Sequence, residues 1–211
     1  MPKAQIQAEI FSGQDPEPWV EGADTRYQPD FLAPTEADCL FEHLLVNTNW
    51  QQDEITVYGK RHLTPRLSLW VADAGLTYKY SNMTMQAASW TPELTALRVQ
   101  LQDHTGYDFN SVLLNYYRSG TDSNGWHADD EPELGRRPVI ASVSLGASRD
   151  FQLRRRADHR DRHTLALTHG SLLLMSGNSQ HDWQHQVPKR AQAGPRINLT
   201  FRQIKHQPTR L

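Results

Sequence analysis

From Gly106 onward the chain breaks into short runs that alternate apolar and polar residues, set apart by clusters of Gly, Pro, Asn and Asp. A chain punctuated in this way satisfies its backbone by pairing strands rather than by coiling into helices. The runs fall at 111–117, 139–145, 150–153, 164–168, 171–175, 183–187 and 196–202, which predicts a sandwich, a barrel or a jelly roll. Helices precede this β region. One is expected from Thr35, read as its cap with Asp38 at the capping-box position, and Ala37, Leu40, Phe41, Leu44 and Leu45 supply its apolar stripe. A second starts at Thr91-Pro92-Glu93, buries Leu94, Leu97 and Leu101, and stops at Gly106. Residues 1–30 are polar, carry four prolines and show no period, so they read as a loose arm with one short strand at most. The class is α+β.

Bulk composition bounds the function more weakly. With 211 residues the chain can bury a core without disulfides or structural metals. Its 22 Lys and Arg against 24 Asp and Glu give a net charge of −2, which excludes a strongly basic nucleic-acid coat protein but allows a local basic face. Cys39 is the single cysteine, so an internal disulfide and a cysteine-built zinc site are both excluded. No apolar run approaches the roughly 20 residues that span a bilayer. The opening MPKAQIQAEIFSGQD resembles neither a signal peptide nor a mitochondrial presequence, and the expected location is the cytoplasm.

The chemistry is concentrated where polar groups take strand positions. In the run 196–202, Arg196, Asn198, Thr200 and Arg202 share one face while Ile197, Leu199 and Phe201 share the other. Such a strand is either an edge with one wet face or the wall of a pocket for a dianion, for which the planar fork of arginine is suited. Asn115 and Tyr117 put further hydrogen-bonding groups on one face of the run 111–117. Between these lies His127-Ala128-Asp129, which when extended directs an imidazole and a carboxylate to one side, as a metal site requires. A third ligand would come from His159, His163, His169, His181 or His185. His185 is preferred, because it lies in a strand-like run closed by Pro188 and the arginine strand starts eleven residues later. Two histidines and a carboxylate with open positions form the facial triad of non-haem Fe(II) oxygenases. A zinc hydrolase could use similar ligands but would not need the arginine strand. The stretch from Arg149 to His163 holds six arginines against three aspartates, either a solvated hairpin or a landing surface for phosphates.

These residues resemble the AlkB-type Fe(II)/2-oxoglutarate dioxygenases that oxidatively dealkylate nucleobases. The resemblance runs from about Tyr58 to Gln203 and rests on NYY at 115–117, HAD at 127–129, ASVSLGASRDF at 141–151, HGSLLLM at 169–175, HQVP at 185–188 and PRINLTFRQ at 195–203. It implies a double-stranded β-helix, or jelly roll, at about 107–205 behind N-terminal helices and a nucleotide-recognition lid at about 55–90, within a single catalytic domain 31–211. It implies His127, Asp129 and His185 as Fe(II) ligands, and Asn115, Tyr117, Arg196, Asn198, Thr200 and Arg202 as the 2-oxoglutarate site. In the family the first arginine of the last motif and the tyrosine hold the distal carboxylate, while the final arginine and the first asparagine lie near the carboxylate that chelates iron.

Tyr58-Gly59-Lys60, Thr64-Pro65-Arg66 and residues 75–81 resemble the lid of members that act on duplex DNA. That likeness implies Tyr58 as a wedge, Tyr78 and Tyr80 stacking on a flipped base, Glu131 contacting the base, and Arg66, Arg154, Arg155 and Arg156 holding the backbones. The implied reaction hydroxylates an alkyl carbon on N1 of adenine or N3 of cytosine, or an etheno adduct, and releases aldehyde, succinate and CO₂. The expected molecule is a monomer acting on alkylated DNA, single- or double-stranded, away from membranes. The alternatives are a dioxygenase of the same fold acting on RNA or protein, and a jelly roll that binds nucleic acid without turnover.

Overall fold

The computed structural model describes residues 19–57, 59–76, 78–80, 83–85 and 87–205. Ten strands form two facing antiparallel sheets. The larger has six in the order β1 (Thr25–Gln28), β12 (Ser171–Met175), β9 (Ile140–Gly146), β14 (Arg196–Arg202), β7 (Ser111–Tyr117) and β4 (Leu67–Ala72). The smaller has four: β11 (Arg162–Leu167), β10 (Arg149–Arg155), β13 (Trp183–Val187) and β8 (Asn124–His127). Two hairpins stand apart, β2 (Glu54–Val57) with β3 (Lys60–Leu63), and β5 (Tyr78–Tyr80) with β6 (Met83–Met85). Helices α1 (Pro34–Asn47) and α2 (Pro92–Thr105) pack on the outer face of the large sheet, and a single turn, α3 (Ser179–Asp182), leads into β13. No helix among the described residues is long and apolar enough to cross a membrane.

The sequence pattern explains the layering. Ile197, Leu199 and Phe201 of β14 join Val112 and Leu114 of β7 and Val143 and Leu145 of β9 beneath Leu94, Leu97 and Leu101 of α2. The opposite face of the same strands looks into the space between the sheets, where Leu153, Leu167, Leu173, Met175 and Trp183 form a second apolar cluster. All seven residues of β14 are buried, because it lies between β9 and β7. The edge-strand reading of the arginine run is therefore excluded: its polar face is wet only by the pocket it lines.

Helix α2 forms as its sequence dictates. Thr91 Oγ1 accepts from the Leu94 N–H, and Gly106 closes the helix at φ 72°, where a side chain would be strained. Helix α1 departs from expectation. Pro34 occupies its first turn, which moves the N-cap back to Ala33, so Thr35 lies inside the helix and caps nothing.

Three boundaries also differ from the sequence reading. Residues from Trp19 belong to the domain rather than to an arm: Val20 and Ala23 are buried, and β1 pairs along β12 from Thr25↔Met175 to Gln28↔Leu172. The apolar β12 would otherwise expose an unpaired edge, which β1 covers. The stretch 55–90 is not a continuous lid. Its two hairpins flank β4, a strand of the large sheet with Trp70, Val71 and Ala72 buried, and burial on both faces removed the alternation that marks other strands. Finally, β8 escaped notice because Asn124-Gly125 reads as a turn, and only its pairing with β13 makes it a strand.

Candidate active site

The polar face of the large sheet is ordered by cross-strand register. Asn198 lies opposite both Asn115 of β7 and Ser144 of β9, and Arg196 lies opposite Tyr117. The side chains satisfy one another in sequence. Asn198 Nδ2 donates to Ser142 Oγ (2.8 Å) and to the Val143 carbonyl (3.1 Å), and Thr200 Oγ1 donates to Asn198 Oδ1 (3.0 Å). Arg196 Nη2 donates to Ser144 Oγ (2.9 Å), and its guanidinium lies over the Tyr117 ring, 5.2 Å from the centroid. Its Nε and Nη1 are buried and find no acceptor at hydrogen-bond distance among the described residues. Burial pulls the Arg196 pKa down to about 10, which still leaves it cationic at neutral pH.

The small sheet supplies the facing wall. His127 at the end of β8 and His185 in β13 are cross-strand partners, with ring centroids 4.2 Å apart, and Phe151 of β10 stacks on His185. Asp129 follows β8 and completes a group whose ligand atoms all lie within 4.8 Å of one another, the one such His/Cys/Asp/Glu group among the described residues. Its backbone N–H donates to Gln180 Oε1 (2.9 Å), and its Oδ2 accepts from Arg202 Nη2 (2.8 Å). Burial by itself would raise the Asp129 pKa, but the adjacent Arg202 guanidinium, joined at low pH by the protonated imidazoles, outweighs it and holds the carboxyl at about 2. Burial pushes His185 down to about 3, aided by His127, and lowers His127 against the pull of Asp129. The site thus presents an ionised carboxylate and two neutral imidazoles, the protonation state that metal ligation needs.

This donor set fits a ferrous ion, as the 2-His-1-carboxylate arrangement does generally. The cavity beside it fits a dicarboxylate. Arg66, Arg196 and Arg202 line it with Asp129 as the one carboxylate, and the donors left over on Arg196 look for an anionic partner. All three expected metal ligands and all six expected cosubstrate residues line this one cavity.

The expected nucleic-acid contacts fare differently. Arg66 is buried and its Nε donates to Asn115 Oδ1 (2.7 Å), so it forms part of the pocket wall and is not on the surface. Arg155 pairs with Asp161 (2.8 Å), and Arg156 pairs with Asp130 (2.6 Å) while also donating to the Gln180 carbonyl (3.1 Å). Arg156 therefore pins the residue after Asp129 to α3, a structural task that spends the charge assigned to phosphates. Arg154 has no carboxylate partner among the described residues; it donates to Gln184 and lies over the Trp126 ring at 4.2 Å. Glu131 is half-buried at the start of the turn Pro132–Leu134 and does not line the cavity. Tyr58 lies outside the described residues, as do the side chains of Tyr78 and Tyr80, whose backbones pair with Met85 and Met83.

Sequence reasoning missed Ser142, Ser144, Gln180 and Asn124. The serines left a signal, since they alternate with apolar residues in a strand otherwise fit for full burial. Gln180 left none, because its role exists only once α3 meets the loop at Asp129.

The family model of the 2OG-Fe(II) oxygenase superfamily matches residues 24–202. The chain is 43% identical over 195 residues to the alpha-ketoglutarate-dependent dioxygenase alkB homolog 3 of Bos taurus, covering 85% of this chain and 66% of that protein's length. It is 40% identical over 196 residues to the DNA oxidative demethylase ALKBH2 of Homo sapiens, covering 87% and 74% respectively. Among solved structures, that of OsALKBH1 superposes with a TM-score of 0.64 at 17% identity, over 86% of this chain and 97% of that one, which bears on the fold alone. With the triad, the arginine strand and the matched span in agreement, the chain belongs to the 2OG-Fe(II) oxygenase superfamily, among its AlkB-type members.

Proposed function

We propose that this chain is an Fe(II)/2-oxoglutarate-dependent dioxygenase that oxidatively removes alkyl groups from nucleobases, with DNA carrying N1-methyladenine or N3-methylcytosine as its substrate. The observation that carries the reading is the group of half-buried His127 with buried Asp129 and His185, sharing one cavity with an arginine strand that has unspent donors. Bound iron would supply the activation of O₂ and the oxidation of the alkyl carbon. The protein's part is to bind, orient and exclude water. His127, Asp129 and His185 would hold the ion. Arg196, with its free Nε and Nη1 and with Tyr117 beside it, would take the distal carboxylate of 2-oxoglutarate. Arg202 neutralises Asp129 and fixes which of its oxygens is left for the metal, and Asn198 is held rigid by Ser142 and Thr200.

The choice of substrate is supported by the names of the relatives, one of which is a DNA oxidative demethylase, and by one surface. On the outer face of the small sheet the guanidiniums of Arg154 and Arg162 lie over Trp126, at 4.2 and 5.1 Å from the ring. Neither has a carboxylate partner among the described residues, in contrast with Arg155, Arg156 and Arg160, paired with Asp161, Asp130 and Asp158. In a chain of net charge −2 this is where a phosphate backbone would find uncompensated positive charge. A base that must leave the duplex to reach the cavity costs a few kcal/mol, less when its lesion already prevents pairing, and this would favour alkylated over intact bases.

The test is mass spectrometry of oligonucleotides carrying one N1-methyladenine or N3-methylcytosine, incubated with Fe(II) and 2-oxoglutarate, with succinate followed in parallel. Loss of the methyl mass matched by succinate is the expected result. Succinate formed only with methylated RNA or a peptide would refute the substrate, and no succinate with any of them would refute the activity.

A further inference from the structure

His127 makes two contacts through its ring. Nδ1 lies 2.7 Å from the Gly125 carbonyl oxygen. A carbonyl only accepts, so Nδ1 carries the proton and the neutral imidazole keeps a single lone pair, on Nε2. Asn124 Nδ2 lies 3.1 Å from that same nitrogen. Because Nε2 can only accept, the amide must present its NH₂ group, so the tautomer and the amide orientation fix one another. The other ligands are not constrained in this way. Asp129 gives Oδ2 to Arg202 and keeps a second oxygen, so one carboxylate can serve a guanidinium and a metal together. An imidazole protonated at Nδ1 has no second lone pair to share.

We propose that Asn124 caps the metal centre: its amide donates to the His127 Nε2 lone pair through which the ring would ligate, and this hydrogen bond must be given up before an ion can bind. The triad's affinity for a divalent metal is then set below what the three ligands alone would give. Gly125 holds the ligating tautomer independently of Asn124, so removing the cap relieves competition without loosening the ring. Asn124 lines the same cavity as the triad and the arginine strand, and its side chain makes no other hydrogen bond among the described residues, so its replacement disturbs little else.

The experiment uses the full chain, stripped of metal by a chelator and titrated with Co(II), with binding followed by d–d absorption and neither 2-oxoglutarate nor turnover involved. Asn124→Ala and Asn124→Val should both bind Co(II) about two- to tenfold more tightly than the parent, the equivalent of one ordinary hydrogen bond no longer broken. In metal-free protein the ¹⁵N resonance of His127 Nε2 should move downfield in both variants as it loses its donor. A purely structural role for Asn124 would instead lower the thermal midpoint and leave the dissociation constant where it was. A Co(II) affinity unchanged or weakened in either variant overturns the proposal, as does an Nε2 resonance that does not move.

Discussion

Asp129 does two things at once: it offers an oxygen to a metal and it neutralises Arg202, a side chain almost wholly out of water. Asp129→Ala should therefore abolish Co(II) binding and also destabilise the fold by about 3–5 kcal/mol, because a buried cation loses its carboxylate. Adding Arg202→Met should recover part of the lost melting temperature and none of the metal binding, a split that thermal scans and Co(II) titration read separately. Arg196 is the proposed anchor of the cosubstrate instead. Arg196→Met removes donors to a carboxylate, each worth about 1.5–3 kcal/mol, so half-saturation by 2-oxoglutarate should rise about 10- to 100-fold in a succinate assay. The histidines set the pH response. His185 titrates at about 3 in the fold and His127 is also lowered, against about 6.5 in an unfolded chain. The unfolded state then binds more protons throughout that interval, so the metal-free protein should lose stability as pH falls below about 6.5. Urea midpoints of chelator-treated protein should show this, and His185→Gln should flatten it. The triad and the arginines were legible in the sequence because spacing and strand period carry them. Gln180 was not, because it acts on an atom brought near only by the fold.

At the level of elements, alternation is informative only where the two faces of a strand differ. Strand β14 was read residue for residue, since Ile197, Leu199 and Phe201 meet the helices while the arginines meet the pocket. Strand β4 was not: Trp70, Val71 and Ala72 are apolar in succession because both of its faces are covered, and such a run does not distinguish strand from helix. Strand β8 depends wholly on its partner, β13. The helix caps give a direct test of local reasoning. Thr91 caps α2, so Thr91→Ala should cost about 1 kcal/mol. Thr35→Ala should change stability by less than about 0.5 kcal/mol, since Thr35 is exposed within α1 and its side chain makes no capping bond. Urea unfolding of the two variants side by side decides the matter, and equal losses would mean that the cap of α1 is misassigned.

For the whole molecule the question is where a nearly neutral protein would offer positive charge to the polyanion proposed as its substrate. The run of six arginines allowed either a solvated hairpin or a landing surface for phosphates; it forms the hairpin of β10 and β11, and folding divides the arginines by task. Arg149 is buried and donates to the carbonyls of Ser119, Asp122 and Pro188, and three others are matched to aspartates. Of the six, only Arg154 and Arg162 over Trp126 are neither buried nor matched to a carboxylate among the described residues, so the proposed phosphate surface is smaller than the run implied. Counterion release makes this measurable. Each phosphate neutralised on duplex DNA adds about 0.9 to the slope of log affinity against log salt, so the double variant Arg154→Gln, Arg162→Gln should lower that slope by about 2. Its half-saturation by 2-oxoglutarate should stay unchanged, because neither residue lines the cavity. Tyr58 separates the wedge from this surface. If Tyr58 fills the gap left by a flipped base, Tyr58→Ala should depress repair of a lesion in duplex far more than in a matched single strand, whereas the arginine variants should weaken binding to both. Equal losses for Tyr58→Ala on the two substrates would rule out the wedge while leaving the basic surface standing, and an unchanged salt slope in the arginine variants would remove the surface whatever the tyrosine does.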